Sequence, residues 1–254
     1  MDIASLTLLL AASVITCLAG VLKGSVGFGL PTVMIAGLSL IMAPDVALAA
    51  LAFPALVSNG LQALRGGGGA ALAAIRRFAP FLIAGFVLMV CAAQMVPYLA
   101  AWFMLLLIGV PVSLVSGFAL VGRILPIPSP PTTPVQVMVG TVAGFFGGIT
   151  GIWGPPTVAL LTSMHTPKVE QVRIQGVVYG LGALTLVASH AVSGVLNAAT
   201  LPLSLFLCLP ALAGLYAGFR IQDKLGQQGF ERLTHIVLLL AGLFLVVRGL
   251  WLAS

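Results

Sequence analysis

Charge is what this 254-residue sequence has least of. Asp, Glu, Lys and Arg together make up 6% of it, against about 25% in a soluble domain. Eleven basic and five acidic side chains are too few to cover a water-facing surface of this size. A soluble enzyme, a nucleic-acid-binding domain and a secreted disulfide scaffold are therefore excluded. Cysteine is scarce as well: Cys17, Cys91 and Cys208 are odd in number, lie in apolar runs and form no C-x-x-C, so neither a disulfide framework nor a zinc site is indicated. His165, His190 and His235 make no cluster with cysteines or carboxylates at metal-ligand spacing. No G-x-x-x-x-G-K-[ST] occurs, since Gly66–Gly69 runs on into Ala70, and there is no H-E-x-x-H. Neither an enzyme nor a cofactor is expected. The start, Met1-Asp2-Ile3, lacks the basic region of a signal peptide, so the first apolar run reads as a retained helix.

What is there is apolar: 60% of the residues, with a mean hydropathy of +1.20. The expected class is an all-α polytopic membrane protein, in which roughly 20 residues per crossing allow at most about a dozen crossings. Apolar stretches run over Ile3–Leu22, Pro31–Ala43, Val46–Leu64, Phe78–Val96, Leu99–Val121, Val135–Phe146, Pro156–Met164, Val172–Val195, Leu201–Phe219 and Leu233–Leu252. Gly, Pro or charge separates them. Pro31–Ala43 would span about 20 Å as a helix, less than a hydrocarbon core of about 30 Å, and Pro156–Met164 is shorter still. Both follow Gly-rich breaks, the pattern of broken or re-entrant helices. With Arg65, Arg76 and Arg77 set in the cytoplasm, alternation puts Arg123, Lys168, Arg173, Arg220, Lys224 and Arg232 on the same side. Only Arg248 falls outside, and Lys23 stands apart in a Gly-rich break. The positive-inside bias then directs both termini outward. Asp2, Asp45, Glu170, Asp223 and Glu231 all fall at predicted loops or ends. No carboxylate is left in the membrane interior for proton or sodium coupling.

The chain repeats itself. Ala19-Gly20-Val21-Leu22-Lys23-Gly24-Ser25-Val26-Gly27 aligns with Ala143-Gly144-Phe145-Phe146-Gly147-Gly148-Ile149-Thr150-Gly151. Pro31-Thr32-Val33 aligns with Pro156-Thr157-Val158 one residue out of step, and Pro44-Asp45-Val46 echoes Pro167-Lys168-Val169. A Pro-rich stretch from Pro126 to Pro134 joins the halves and cannot continue a helix. The expected division is a first repeat over 1–122, a cytoplasmic linker over 123–134 and a second repeat over 135–254. With five segments per half, an odd number, the second repeat is inverted, as in many secondary transporters.

Glycines in the breaks let backbones approach and leave N–H groups unshielded. A proline follows each break at a position suited to the first turn of the next helix. The helices starting near Pro31 and Pro156 would then point free N–H groups and positive dipole ends at the breaks, which is the chemistry of an anion site near the bilayer midplane. Ser25, Thr32, Thr150 and Thr157 add hydroxyl donors, and Lys23 adds formal charge. The competing reading of Gly20-x-x-x-Gly24 and Gly144-x-x-x-Gly148 is helix packing, the role assigned to Gly176, Gly180, Gly214 and Gly218. Lys23 has two open readings, an intramembrane counter-charge or a snorkelling end-of-helix lysine. Phe28 and Trp153 take similar places in the two breaks, to pack on substrate or to sit at the interface. Asn59, Gln62, Gln94, Gln175 and His190 are the other polar residues in apolar segments. Asn59 and Gln175 suit a cavity wall or inter-helix hydrogen bonds, and Arg173 suits an anion at the inner mouth. The candidate substrate-binding set is Lys23, Gly24, Ser25, Gly27, Gly29, Thr32, Gly148, Thr150, Gly151, Trp153, Gly154, Thr157, Arg173 and Gln175.

At the two breaks, Ala19-Gly20 through Gly27-Phe28-Gly29-Leu30-Pro31 and Ala143-Gly144 through Gly151-Ile152-Trp153-Gly154-Pro155-Pro156, the sequence resembles the TauE/SafE family of sulfite and organosulfonate transporters. The Arg-bearing segment after the third run and Gly214-x-x-x-Gly218 before the last loop extend the resemblance over most of the chain. The glycine cluster is thinner here, interrupted by Ser25, Val26 and Phe28 in one copy and Thr150, Ile152 and Trp153 in the other, and Met89 stands where a second glycine would follow Gly85. The resemblance implies bacterial inner-membrane carriage of small anions such as sulfite, sulfoacetate or sulfolactate, often outward. Export down the membrane potential needs no coupling ion, since inside-negative cells push anions out. Uptake of a carboxylate or thiosulfate, or a non-transporting membrane subunit, remain alternatives. The expected partners are a small anionic substrate, the lipid bilayer and, in a homodimer, a second copy of the chain; nucleic acid is not one.

Overall fold

A computed structural model describes residues 3–93, 100–123, 132–150, 154–163, 166–192 and 194–253. Eleven helices and no strand occur among the described residues. Five are long and apolar enough to cross a membrane, and a further pair, Gly68–Arg77 and Ala79–Ala92, bent by 71°, has the length and apolarity of a broken span or a re-entrant loop. The first of that pair adds to the sequence reading, which treated Arg65–Arg77 only as an Arg-bearing cytoplasmic segment between apolar runs. Ala70 through Ile75 supply helix propensity, and two arginines in the last turn suit the negative end of the dipole. The chain divides into two compact units, Met1–Leu72 with Val172–Gly226, and Ala73–Gln171 with Gln227–Ser254.

The first unit is built from α1 (Ile3–Val26), α2 (Leu30–Leu38), α3 (Pro44–Ala63), most of α9 (Lys168–Val192) and α10 (Leu201–Lys224). At nine residues α2 is about 14 Å long, too short to cross a bilayer. Its Leu30, Met34 and Leu38 stack along one face into a core with Ala19 of α1, Leu51 of α3 and Leu207 of α10. The main contact joins α1 and α10. A Cβ on Gly20 would lie 2.4 Å from Ala211 O, one on Gly24 2.2 Å from Leu215 O, and one on Gly214 2.0 Å from Cys17 O. Only glycine permits backbones this close, so packing by itself requires Gly20 and Gly24. Gly176 likewise meets α3, with a Cβ 2.4 Å from Ala63 N.

One break in α3 is repaired across the unit. Pro54 has no N–H, so Ala50 O loses the donor four residues on. Ser204 Oγ of α10 donates to that carbonyl at 3.2 Å and accepts from Phe53 N at 3.1 Å. Where α3 ends, Gly66 and Gly67 turn the chain at φ of 98° and 90°. Arg173 Nε holds the turn by donating to Arg65 O at 2.6 Å. The Arg65 side chain donates to Gln222 Oε1 and, at 2.5 Å, to Asp223 Oδ1 of α10.

The second unit holds α5 (Ala79–Ala93), α6 (Ala101–Leu120), α7 (Thr133–Thr150), α8 (Gly154–Ser163) and α11 (Gln227–Ala253). Glycines again set the contacts: a Cβ on Gly144 would lie 2.0 Å from Gly85 O where α7 meets α5, and one on Gly109 2.8 Å from Gly242 O where α6 meets α11. Gln227 ties α11 to the segment before α9, donating to Thr166 O at 3.0 Å and accepting from Lys168 N at 3.0 Å. Arg77 pairs with Glu170 at 2.5 Å. His235 and Thr234 are buried with no hydrogen-bond partner for their side chains among the described residues.

Candidate functional site

The break between α1 and α2 is shorter than its glycine content suggests. The helix continues through Lys23, Gly24 and Ser25 to Val26, closed by Gly27 N donating to Lys23 O at 2.7 Å. Lys23 therefore sits in the last turn of α1 rather than in a Gly-rich loop. The chain then turns on Gly27 at φ 93° and Gly29 at φ 95°, a left-handed conformation that costs glycine nothing. With Gly29 as N-cap and Pro31 in its first turn, α2 starts with no side chain capping it. Its first N–H groups have no intrahelical acceptor, by the geometry of any helix start.

Ending one helix and starting another at the same place brings carbonyls as well as N–H groups to the break. Two amides donate to three of the carbonyls. Gln62 of α3 donates from Nε2 to Lys23 O at 3.2 Å and Gly27 O at 3.3 Å. Gln175 of α9, with its amide nitrogen turned to the break, donates to Gly27 O at 3.0 Å and Val26 O at 3.3 Å. Lys23 O, Val26 O and Gly27 O are thus covered, while the glycine N-cap of α2 supplies no side-chain cap.

Lys23 completes the polarity. Its side chain is 1% exposed and donates to Asn59 Oδ1 of α3, whose Nδ2 in turn donates to Tyr179 O of α9 at 3.1 Å. The snorkelling reading is ruled out by this burial. A buried cation is normally matched by an anion, since desolvation costs several kcal/mol per ion. The ion pairs among the described residues, Arg65–Asp223 and Arg77–Glu170, do not include Lys23. Its one recorded partner is a neutral amide oxygen.

Lys23, Gly27 and Gln175 come together at this break, joined by Asn59 and Gln62, which were absent from the sequence-derived set. Asn59 and Gln62 lie three apart on α3, so they share a face. They do make inter-helix hydrogen bonds, and those bonds border the break. Ser25 is buried, with Oγ donating back to Val21 O at 2.8 Å. Thr32 is exposed in the first turn of α2. Gly24 faces α10, and Arg173 holds the turn after α3. In the second unit, Gly148 and Thr150 fall in the last two turns of α7, Gly154 opens α8, and Thr157 is buried in its first turn. Gly151 and Trp153 lie outside the described residues. His165, Gln94 and most of the linker fall outside them as well. Among the described residues no group of three His, Cys, Asp or Glu is placed to hold a metal ion.

A family model described as sulfite exporter TauE/SafE matches residues 12–245. The match takes in both breaks, and the chain belongs to that family, one of membrane transporters. No curated protein and no solved structure matches it.

Proposed function

We propose that this member of the sulfite exporter TauE/SafE family carries a small sulfur oxyanion, sulfite or an organosulfonate such as sulfoacetate, outward across a bacterial inner membrane. The substrate binds at the α1–α2 break, against the Lys23 ammonium and the uncapped first turn of α2. The observation that carries this reading is Lys23: a fully buried lysine that donates to the neutral Asn59 amide and that neither ion pair among the described residues includes. An anion supplies the missing counter-charge, and sulfur oxyanions accept several donors at once. Donation by Gln62 and Gln175 to Lys23 O, Val26 O and Gly27 O lessens the repulsion such a ligand would otherwise meet.

The wider architecture we propose is two inverted repeats, 1–122 and 135–254, joined by the linker 123–134, with both termini outside. The packing of glycines supports it. In the aligned repeats α1 corresponds to α7, and each uses the equivalent glycine, Gly20 or Gly144, against a helix from the other half, α10 or α5. Lys23 aligns with Gly147, so only one repeat carries the charge.

Flux from proteoliposomes loaded with sulfite, sulfoacetate, thiosulfate or a dicarboxylate, at clamped potential, tests the function. The expected result is flux selective for sulfur oxyanions that falls at least about tenfold in Lys23→Met, the loss of one charge-assisted contact. Normal flux in folded Lys23→Met removes the site from this break. Preference for the dicarboxylate or thiosulfate replaces the substrate.

A further inference from the structure

Gln62 is fully buried, and its two amide atoms are in different states. Nε2 has two acceptors, Lys23 O and Gly27 O. Oε1 has no donor among the described residues. The orientation is fixed, because turning the amide over would set Oε1 against two carbonyls. Oε1 shares a carbon with Nε2, so it lies beside the Lys23 and Gly27 carbonyls that Nε2 bonds. Buried polar atoms are rarely left unpaired, and one that is calls for a missing partner. The Lys23 side chain and the first-turn N–H groups of α2 are donors, whereas Oε1 is an acceptor and asks for a ligand that donates.

Charge narrows the ligand further. Among the described residues of this unit, Lys23 is the one charged side chain that is fully buried. Asp45 is exposed at the start of α3, while Arg65 and Asp223 pair with each other and Arg173 holds the Arg65 carbonyl. Arg220 and Lys224 complete the charges at that end of α10, and α2 has none. A monoanion therefore gives a neutral complex. A dianion leaves one negative charge uncompensated in a low-dielectric interior.

Resting on the anion-site reading above, we propose that the site selects an oxyanion bearing one negative charge and one O–H. For the sulfite system this is hydrogensulfite in its hydroxyl form, favoured over the sulfite dianion and over sulfonates that lack a hydroxyl. Gln62 Oε1 accepts from the ligand O–H, while Lys23 and the first turn of α2 donate to the remaining oxygens. A sulfonate monoanion satisfies the charge but leaves Oε1 unpaired, and sites built to pair a substrate hydroxyl discriminate strongly against analogues lacking it.

The test is competition in proteoliposomes of the full chain at one mildly acidic pH, where sulfite is held as hydrogensulfite. Leak through protein-free vesicles is subtracted. Labelled hydrogensulfite is chased with unlabelled hydrogensulfite or methanesulfonate. The expected result is that methanesulfonate competes about tenfold more weakly, or worse. Gln62→Met abolishes that preference, whereas Gln175→Met, which removes the comparable amide from the break, keeps it. Equal competition in the wild-type protein overturns the proposal without needing any variant, and leaves the anion-site reading in place. A preference that survives in Gln62→Met reflects the bulk of the methyl group and also overturns it. Absence of saturable flux of either anion is a different failure, that of the anion site itself.

Discussion

At the scale of single residues, Lys23 allows function to be separated from folding, because its partner is an amide and not an acid. Asn59→Asp changes one atom's chemistry at nearly constant volume and sets a carboxylate where Oδ1 now accepts from the ammonium. The pair then neutralises itself, so anion flux is expected to fall at least about tenfold while the protein melts no earlier than wild type. Loss of flux together with a lower melting temperature in detergent contradicts this and makes Lys23 a structural group. Asn59→Leu removes the amide partner and leaves the ammonium buried, a loss of about 3–5 kcal/mol of stability where a buried charge loses its partner. Lys23 and Gln175 are legible from sequence because charge and amides stand out in apolar runs. The part played by Gln62 is not. Its acceptors are backbone carbonyls of another helix, and they are open to an amide only because α1 ends at Gly27, which the pattern of glycines located a turn too early.

Between elements, the glycines divide by what lies beyond their missing Cβ. At Gly214 a methyl would meet Cys17 O at 2.0 Å, and both are backbone, so neither can step aside. Gly214→Ala is expected to wedge α1 from α10 and lose about 1–3 kcal/mol, as overpacked sites do. At Gly117, within α6, nothing lies within 4 Å, and Gly117→Ala should gain about 0.5–1 kcal/mol from helix propensity. Melting temperatures moving in opposite directions would bear this out, and a common direction would not. Ser204→Ala should lose about 1–3 kcal/mol, since it leaves Ala50 O, already deprived of a donor by Pro54, buried and unpaired. The long apolar helices were readable because some 20 apolar residues in a row have few other fates. The short α2 was readable because glycines and a proline bracket it. Missing from the sequence reading was α4, whose arginines served only to place the segment in the cytoplasm although its alanines favour a helix. Also unreadable was the assignment of Gly20 and Gly24 to packing on α10, because a small-residue pair names a close approach but not its partner.

For the molecule as a whole, the question is what drives transport, and charge counting answers it without reference to how the chain moves. Over a complete cycle the protein returns to its starting state, so the net charge displaced is that of the substrate, whatever Lys23 does on the way. One negative charge moved across 100 mV is worth about 2.3 kcal/mol, an equilibrium ratio near 50-fold. We expect no second driving ion, since among the described acids Asp45, Glu170, Asp223 and Glu231 lie in the first or last turns of their helices or close to them, and Asp223 and Glu170 are paired with arginines. Vesicles held inside-negative at equal pH on both sides are therefore expected to expel a monoanionic substrate until the ratio matches the imposed potential, and to stop when an ionophore collapses it. A proton gradient at zero potential should add nothing beyond the change it makes in the hydrogensulfite fraction on each side. Lys23→Met should slow the approach to that ratio without altering its final value, because a binding group sets a rate and the potential sets the end point. A final ratio that exceeds the potential, or that follows a proton gradient under clamp, demands a coupling ion and a titratable group to bind it. The buried His235, with both ring nitrogens unpaired among the described residues, would then be the first side chain to replace.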